Sequence, residues 1–492
     1  MLARDDPNHA SLPLAGEPLY ARLAEHYRRV IGAGTLAAGD RMPSVRAFMN
    51  QHRVSLATAL QTFRQLEDAG LLVAKPRSGY FVRLPVSPKL ATVHEPEITA
   101  LPNAAQYVGL HERISGVIQR AHAFPDALNL GGATASAALY PGAALQAIAV
   151  RLLRQQPSLL TRATAEAGTS EFKQAVAKRA LSYGVTVTPD EVVVTSGGVE
   201  AMNLALRAVA APGDTIAIES PAFFGLLQIL ESLGLRALEI PVSPSTGLSL
   251  EALEIALVAY PNIKALVVVP NLQNPLGCVM PDERKAALIK LCVAHGVVLI
   301  EDDPYRELVD DVAAAKPIKA WDRDGDVIYC PSFNKVLAPG MRLGWISPGR
   351  WHARIQMLKY AQSRHSEALA QQVAAEFIKS GAFERHLHRL RERLRTQRDA
   401  GADAIGRHFP AGTRLSPPPG GLLLWVALPD GVDAEKLFEA ALPQGIRIAP
   451  GSIFSNSKRF DSFVRLSCPR PFDPQMEQAF YRLGRLIEAM RD

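Results

Sequence analysis

Cysteine is scarce: Cys278, Cys292, Cys330 and Cys468 are the only four in 492 residues, and they are scattered with no paired spacing. That pattern excludes a disulfide framework and a zinc site, so no metal is expected. Long apolar runs are missing as well. No stretch is long enough to span a bilayer, and the opening MLARDDPNHASLPLAGEPLY lacks the apolar centre of a signal peptide. No membrane role is expected, and a reducing cytoplasm fits the cysteine usage. Internal repeats and low-complexity tracts are also absent.

What is present is the balance of a globular protein, 48% hydrophobic and 21% charged residues. The length exceeds one ordinary core, so two or three folding units are expected. The net charge of +6 is mild but uneven. Residues 1–90 hold 12 Lys and Arg against 7 Asp and Glu, so most of the excess lies in the first sixth of the chain. A polyanion is the partner such a segment suits, although a solvated basic surface has the same composition.

In that segment, Leu19, Leu23, Tyr27 and Val30 recur at helical spacing and stop at glycines. GDRMPSVRAFMNQH predicts a short second helix capped by Ser44, and a third begins at Ser55. Its expected buried stripe is Leu56, Ala59, Leu60, Phe63 and Leu66, with Thr58, Gln61, Thr62 and Gln65 outward. LLVAKPRSGYFV then alternates as a two-stranded ribbon turning at residues 76–79. Three helices and a ribbon make a winged helix-turn-helix over residues 15–83. From 84 to 109 prolines break every periodicity, which predicts a linker.

Beyond it, EVVVTSGG, DTIAIESP, LRALEIPV, IKALVVVP, GVVLIEDDPY, DVIYCPSF and RLGWISPG alternate with amphipathic stretches. This predicts a parallel α/β sheet buried on both faces, spanning about 125–350 within a domain of 110–492. A helix-prone stretch over 350–408 follows. GGLLLWVALP, GIRIAP and FVRLSC then suggest a smaller α+β subdomain at about 380–492.

Ligands of open α/β sheets sit beyond the carboxyl ends of the strands. The residues there are Ser196-Gly197-Gly198, Phe223, Asn274, Glu301-Asp302-Asp303-Pro304-Tyr305, and PSFNKVLAPGMR with Ser332, Lys335 and Arg342. Singly, each has an ordinary structural use as a turn, a cap or a surface charge. Together they supply what pyridoxal 5'-phosphate requires: an amine, an acid for the ring nitrogen, donors for the phenolic oxygen, a flat ring to stack on, and phosphate donors.

On these ordered motifs, residues from about 110 to 492 resemble the fold-type I, pyridoxal-phosphate-dependent aminotransferases of class I and II. GDRMPSVRAF, RVSLATALQTFRQLEDAGLL and PRSGYFV resemble the GntR regulators, and the fusion in this order resembles the MocR subfamily. The resemblance implies Lys335 as the lysine that carries the cofactor and Asp302 as the partner of the pyridine nitrogen. It implies Tyr305 and Asn274 on the phenolic oxygen, and Phe223 against the ring. Gly197, Gly198, Ser332 and Arg342 match the phosphate cradle, and Arg465 the acceptor of a substrate carboxylate. For double-stranded operator DNA the matching positions are Arg41, Arg46, Ser55, Thr58, Arg77 and Gly79. A homodimer and an amino acid or amine effector are further implications. A winged helix also serves protein contacts, but the basic excess favours DNA.

Three departures stand out. Asn334 precedes the lysine where many relatives have Ser, TRATAEAGTSEF has no tyrosine where the family places one for the partner's phosphate, and LGGATASAALYP lacks the common Gly-x-Pro. The expectation is a regulator whose cofactor domain senses pyridoxal phosphate, an amino acid or an amine. A working transaminase carrying a DNA-binding appendage is the alternative.

Overall fold

The computed structural model describes residues 18–32, 35–36, 39–69, 71–75, 79–82, 90–94, 110–161 and 163–491. The chain divides into two compact units, Met1–Ser87 and Pro88–Asp492.

In the first unit, helices Leu19–Gly32, Val45–His52 and Leu56–Asp68 precede the antiparallel ribbon Leu72–Lys75 and Gly79–Val82. Residues 39–42 line the ribbon's outer side, with Met42 N donating to Tyr80 O at 2.9 Å and Gly39 N to Val82 O at 2.8 Å. Ser44 caps the second helix, accepting from Ala47 N at 3.2 Å. The core is Ala24, Tyr27, Ile31, Met42, Phe48, Ala59, Phe63, Leu66, Leu71, Leu72 and Val82.

The expected stripes shift. On the first helix Tyr27 is buried as expected, but Leu19 is 49% exposed, Leu23 and Val30 are half-buried, and Ala24 and Ile31 complete the inner face. On the third helix Leu56 and Leu60 face out while Thr62 is fully buried, its hydroxyl donating to Thr58 O at 2.9 Å. That bond removes the penalty of burying a hydroxyl, so a threonine takes the inner place.

The second unit is built on a six-stranded sheet in the order Val327–Pro331, Val298–Asp303, Ile263–Val268, Thr215–Ser220, Arg236–Ser243 and Gly247–Leu248. The first five are parallel, and Gly247–Leu248 is an antiparallel edge. Gly344–Ile346, expected to be parallel, is not. It pairs antiparallel with Val193–Thr195 and meets the sheet through antiparallel bridges Tyr329↔Ser347 and Ser332↔Gly344. The connection over 332–343 holds only one short 3-10 turn, Pro339–Met341, and no crossover helix, so the strand must return antiparallel.

The helix-prone stretch becomes His352–Ser363, Ala368–Lys379 and Gly381–His408. The smaller sheet orders Arg414–Leu415, Leu423–Ala427, Phe463–Ser467 and Ala449–Pro450. GIRIAP, read as one strand, is two: Ala449–Pro450 joins this sheet, while Ile446–Arg447 pairs with Leu128–Asn129. Residues 90–94, placed in the linker by sequence, belong to the second unit. Val93 is 6% exposed, its N donates to Ser416 Oγ at 3.0 Å, and Leu415 N donates to Ala91 O at 3.0 Å. Two apolar residues within a proline-rich stretch give no period, so their docking is invisible to pattern. The rest of 84–109 lies outside the described residues. Among the described residues no helix is long and apolar enough to cross a membrane.

Phe63 is the hub of the first core, 4.9 Å from the Phe48 ring and stacked 4.7 Å from Tyr80. Phe63→Ala should cost that unit about 3–5 kcal/mol. All four tryptophans lie at or beyond residue 321. Helical circular dichroism should therefore report an earlier transition in the variant while the tryptophan fluorescence midpoint stays in place.

Candidate functional site

The strand ends converge on one pocket of about 220 Å³, whose lining includes Gly198, Phe223, Asn274, Asp302, Tyr305, Ser332, Lys335 and Arg342. Ala133, Val199, Met202 and Asn334 line it as well. Gly197 stands just outside this set, at the turn behind Gly198.

Lys335 is held by the turn that follows Val327–Pro331. Its Nζ donates to Thr134 Oγ1 at 3.0 Å and stands 5.9 Å from the centre of the Tyr305 ring. Burial and the positive charges of Arg465 and Arg342 hold the amine down at about 8, against the opposing pull of Asp302. Near neutral pH such an amine has an appreciable unprotonated fraction, which an ordinary lysine lacks.

Asp302 is the penultimate residue of the strand Val298–Asp303, where side chains alternate between faces. Asp302 lines the pocket while Glu301 and Asp303 point the other way. Glu301 accepts from Ile318 N and Lys319 N at 2.7 and 2.8 Å; Asp303 accepts from Tyr329 OH at 2.8 Å and Asn271 Nδ2 at 3.2 Å. Burial and then Asp303 push the Asp302 carboxyl up to about 7. The carboxylate therefore has much to gain from a cation placed before it.

Asn274 Oδ1 accepts from Arg465 Nη1 at 2.7 Å, which commits the carbonyl end of the amide. Its NH2 end is left for Tyr305, whose hydroxyl hydrogen-bonds the Asn274 side chain and is driven far above the ordinary tyrosine range by burial. The loop is tied down from below by Gln273. Its Nε2 donates to Pro221 O at 2.7 Å, two residues before Phe223, and its Oε1 accepts from Leu276 N at 3.0 Å. Buried Glu219 accepts from Val269 N at 3.0 Å in the same network, and burial pushes its carboxyl up to about 8. Arg465 is 2% exposed; its Nη2 donates to Gly131 O at 2.5 Å and its Nε has no hydrogen-bond partner.

At the other end, helix Gly198–Val209 points its amino terminus into the pocket, the favoured end for an anion. Gly197 has φ +83°, and a Cβ there would stand 2.7 Å from Asn334 Nδ2. Arg342 itself adopts left-handed backbone, φ +49°, a conformation that costs a non-glycine about 1 kcal/mol or more. In it, Nη2 reaches back to Ser196 O at 3.2 Å. Asn334 Oδ1 is buried without a partner beside this turn. The turn is braced by Glu200, which accepts from Ser196 N at 2.5 Å and from buried Lys359 Nζ at 2.9 Å, with Ser363 Oγ a further donor.

These groups fit pyridoxal phosphate on the structure's own terms. An amine of lowered basicity, a carboxyl in need of a cation, an amide NH2 and a phenol side by side, a ring, and a helix start with Arg342 across it occupy a single pocket. Thr134, Gln273, Glu219 and the Glu200–Lys359 pair went unread in the sequence; each acts through a partner far along the chain.

In the first unit, Arg41, Arg46, Ser55 and Gly79 are exposed, and Arg41 Nη2 lies 3.7 Å from where a Cβ of Gly79 would stand. Thr58 is half-buried and bonded to Ser55, Oγ to Oγ1 at 2.9 Å. Arg77 lies outside the described residues.

The family model described as aminotransferase class I and II matches residues 136–483, and that of bacterial regulatory proteins, gntR family, matches residues 19–82. The chain belongs to the MocR type, a GntR domain followed by an aminotransferase domain. It is 35% identical to the uncharacterized HTH-type transcriptional regulator YjiR of Escherichia coli (strain K12), over 95% of this chain and 98% of that one. It is 26% identical to the HTH-type transcriptional regulator TauR of Rhodobacter capsulatus, over 95% and 92%. The structure of LysN, an α-aminoadipate aminotransferase of Thermus thermophilus, covers 77% of this MocR-type chain with 97% of its own length, at TM-score 0.70 and 28% identity. That structure holds an N-(5'-phosphopyridoxyl)-L-leucine, and aminotransferases of this class depend on pyridoxal phosphate.

Two measurements test the site. Capture of pyridoxal phosphate by cofactor-free protein, followed by visible absorbance, should accelerate as pH rises through about 8 and then level off, and Lys335→Ala should abolish it. A rate that keeps climbing towards the ordinary lysine value, about 10.4, refutes the lowered basicity. Lys359→Met leaves Glu200 buried and unpaired, and should cost about 3–5 kcal/mol of stability in denaturant titrations read by tryptophan fluorescence.

Proposed function

We propose that the protein is a transcription regulator. Its first unit binds a double-stranded operator, and its second holds pyridoxal 5'-phosphate and responds to the cofactor or to an amino acid or amine. What supports the reading is the presence, in one chain, of a GntR domain and of a pocket that gathers Lys335, Asp302, Asn274, Tyr305, Ser332 and Arg342.

Within the site each residue has a definite task. Lys335 offers the amine, kept partly unprotonated by burial and by Arg465 and Arg342. Asp302 holds a proton's charge on the ring nitrogen, Tyr305 and Asn274 donate to the phenolic oxygen, and Phe223 stacks. Gly197, Gly198, Ser332 and Arg342 hold the phosphate. When bound, the cofactor supplies an aldehyde carbon and an electron-withdrawing ring. Arg465, with Nε unpartnered, takes the carboxylate of an amino acid effector, so acids should outperform plain amines. Arg41, Arg46, Ser55, Thr58 and the wing at Arg77 and Gly79 face the DNA. We read the assembly as a homodimer acting in the cytoplasm, which places two readers on one body.

The transaminase alternative draws on the same intact Lys335 and Asp302. The missing tyrosine in 161–172 counts against it, because that stretch offers no aromatic hydroxyl for a partner's phosphate. A ligand can shift DNA binding only if it prefers one of two arrangements. The test is binding of genomic fragments by wild type and Lys335→Ala, each with and without pyridoxal phosphate and candidate amino acids. Wild type should change its affinity about 5- to 150-fold with ligand, the usual span of coupling between sites, while the variant binds DNA but ignores ligand. Ligand-independent binding together with conversion of an amino acid to its oxo acid at ordinary enzyme rates would favour the transaminase.

A further inference from the structure

The third helix of the first unit carries more apolar surface than its core uses. Ala59, Thr62, Phe63 and Leu66 are buried, whereas Leu56 is 54% and Leu60 40% exposed. Ala57, Leu60, Gln61 and Arg64 form an exposed stripe at i, i+3, i+4 and i+7, with Leu56 beside it. From Ser55 to Phe63 there is no charged side chain. The cations flank this stretch: Arg53 precedes it and Arg64 follows, both exposed, and Arg41 and Arg46 are exposed in the same unit. The hydroxyls at the helix start are engaged with each other, since Ser55 Oγ accepts from Thr58 N at 3.1 Å and pairs with Thr58 Oγ1 at 2.9 Å.

A duplex suits this arrangement. Guanidinium groups take phosphates and fix the register, and what remains to meet base edges is aliphatic carbon with one carboxamide. In the major groove only thymine presents a methyl group, and the adenine N6/N7 edge matches a carboxamide. An apolar protein partner would cover the leucines but leave the flanking arginines without counter-charge, so charge complementarity selects the polyanion.

Resting on the regulator reading, we infer that the third helix reads A·T pairs, with Leu56, Ala57 and Leu60 packed on thymine methyl groups and Gln61 on an adenine edge. Specificity at these positions then comes from apolar burial, and the hydroxyls of Ser55 and Thr58 serve the helix cap. Burying one methyl group is equivalent to about a fourfold gain in affinity.

The test begins with full-length protein selecting from a random duplex library; the enriched motif should contain A·T pairs in each half-site. The selected duplexes are then made with uracil in place of thymine, which keeps the pairing and removes only the methyl. Wild type should bind the uracil duplex about fourfold more weakly for each methyl contacted. Leu56→Ala and Leu60→Ala should each lose the share of that discrimination that belongs to their own contact, so that the thymine-to-uracil affinity ratio falls below that of wild type, while an unchanged circular dichroism transition shows that the exposed substitutions leave the fold intact. Equal binding of thymine and uracil duplexes by wild type, or a motif made only of G·C pairs, overturns the inference and leaves the regulator reading standing. No enrichment of any duplex overturns both. Variants that change the oligomeric state and not base preference would assign the strip to a second copy of the chain and overturn the inference.

Discussion

The two-residue period of a β-strand decides what three consecutive acids do. At Glu301-Asp302-Asp303 the chain sends the outer two away from the pocket, where backbone amides at 318–319, Tyr329 and Asn271 receive them, and turns the middle one inward. The site depends on this separation. A one-residue slip of the strand would point two anions at the pocket and leave one buried acid facing the amides. The parallel neighbours pin the register, with Glu301 opposite Tyr329 and Asp302 opposite Cys330.

From that fixed carboxyl the remaining groups follow as a balance of charge. Burial and then the positive charges of Arg465 and Arg342 favour a neutral amine at Lys335, and the same cations favour an anion beside it. The buried Glu200–Lys359 pair works differently. It faces away from ligands and braces the Ser196 turn, and because both ions are removed from water, losing either partner is far more damaging than the pair is stabilising. Electrostatics here position the machinery more than they hold the fold together.

How much could be read from residues alone follows from distance along the chain. Lys335, Asp302, Asn274 and Arg342 were legible as one group because each lies at the end of an apolar run or in the connection that follows it, and the parallel topology brings those segments to one edge. Thr134 was not, since it meets Lys335 across 201 residues. Nor was the antiparallel course of Gly344–Ile346, whose composition matches its parallel neighbours; direction is set by the short connection before it. On the third helix, LATALQTF offers apolar residues on two adjoining faces, so periodicity alone cannot choose the inner one. The hydroxyl of Thr62, satisfied within its own helix, tipped the choice against Leu60.

The docking of residues 90–94 has a mechanical consequence inside the second unit. Leu90 and Val93 pack on its core, and Ala91 O accepts from Leu415 N. The segment thus runs alongside Arg414–Leu415, the edge of the sheet that also carries Arg465. A displacement of that sheet carries residues 90–94 with it, so the strand of the guanidinium and this short apolar segment move as one piece.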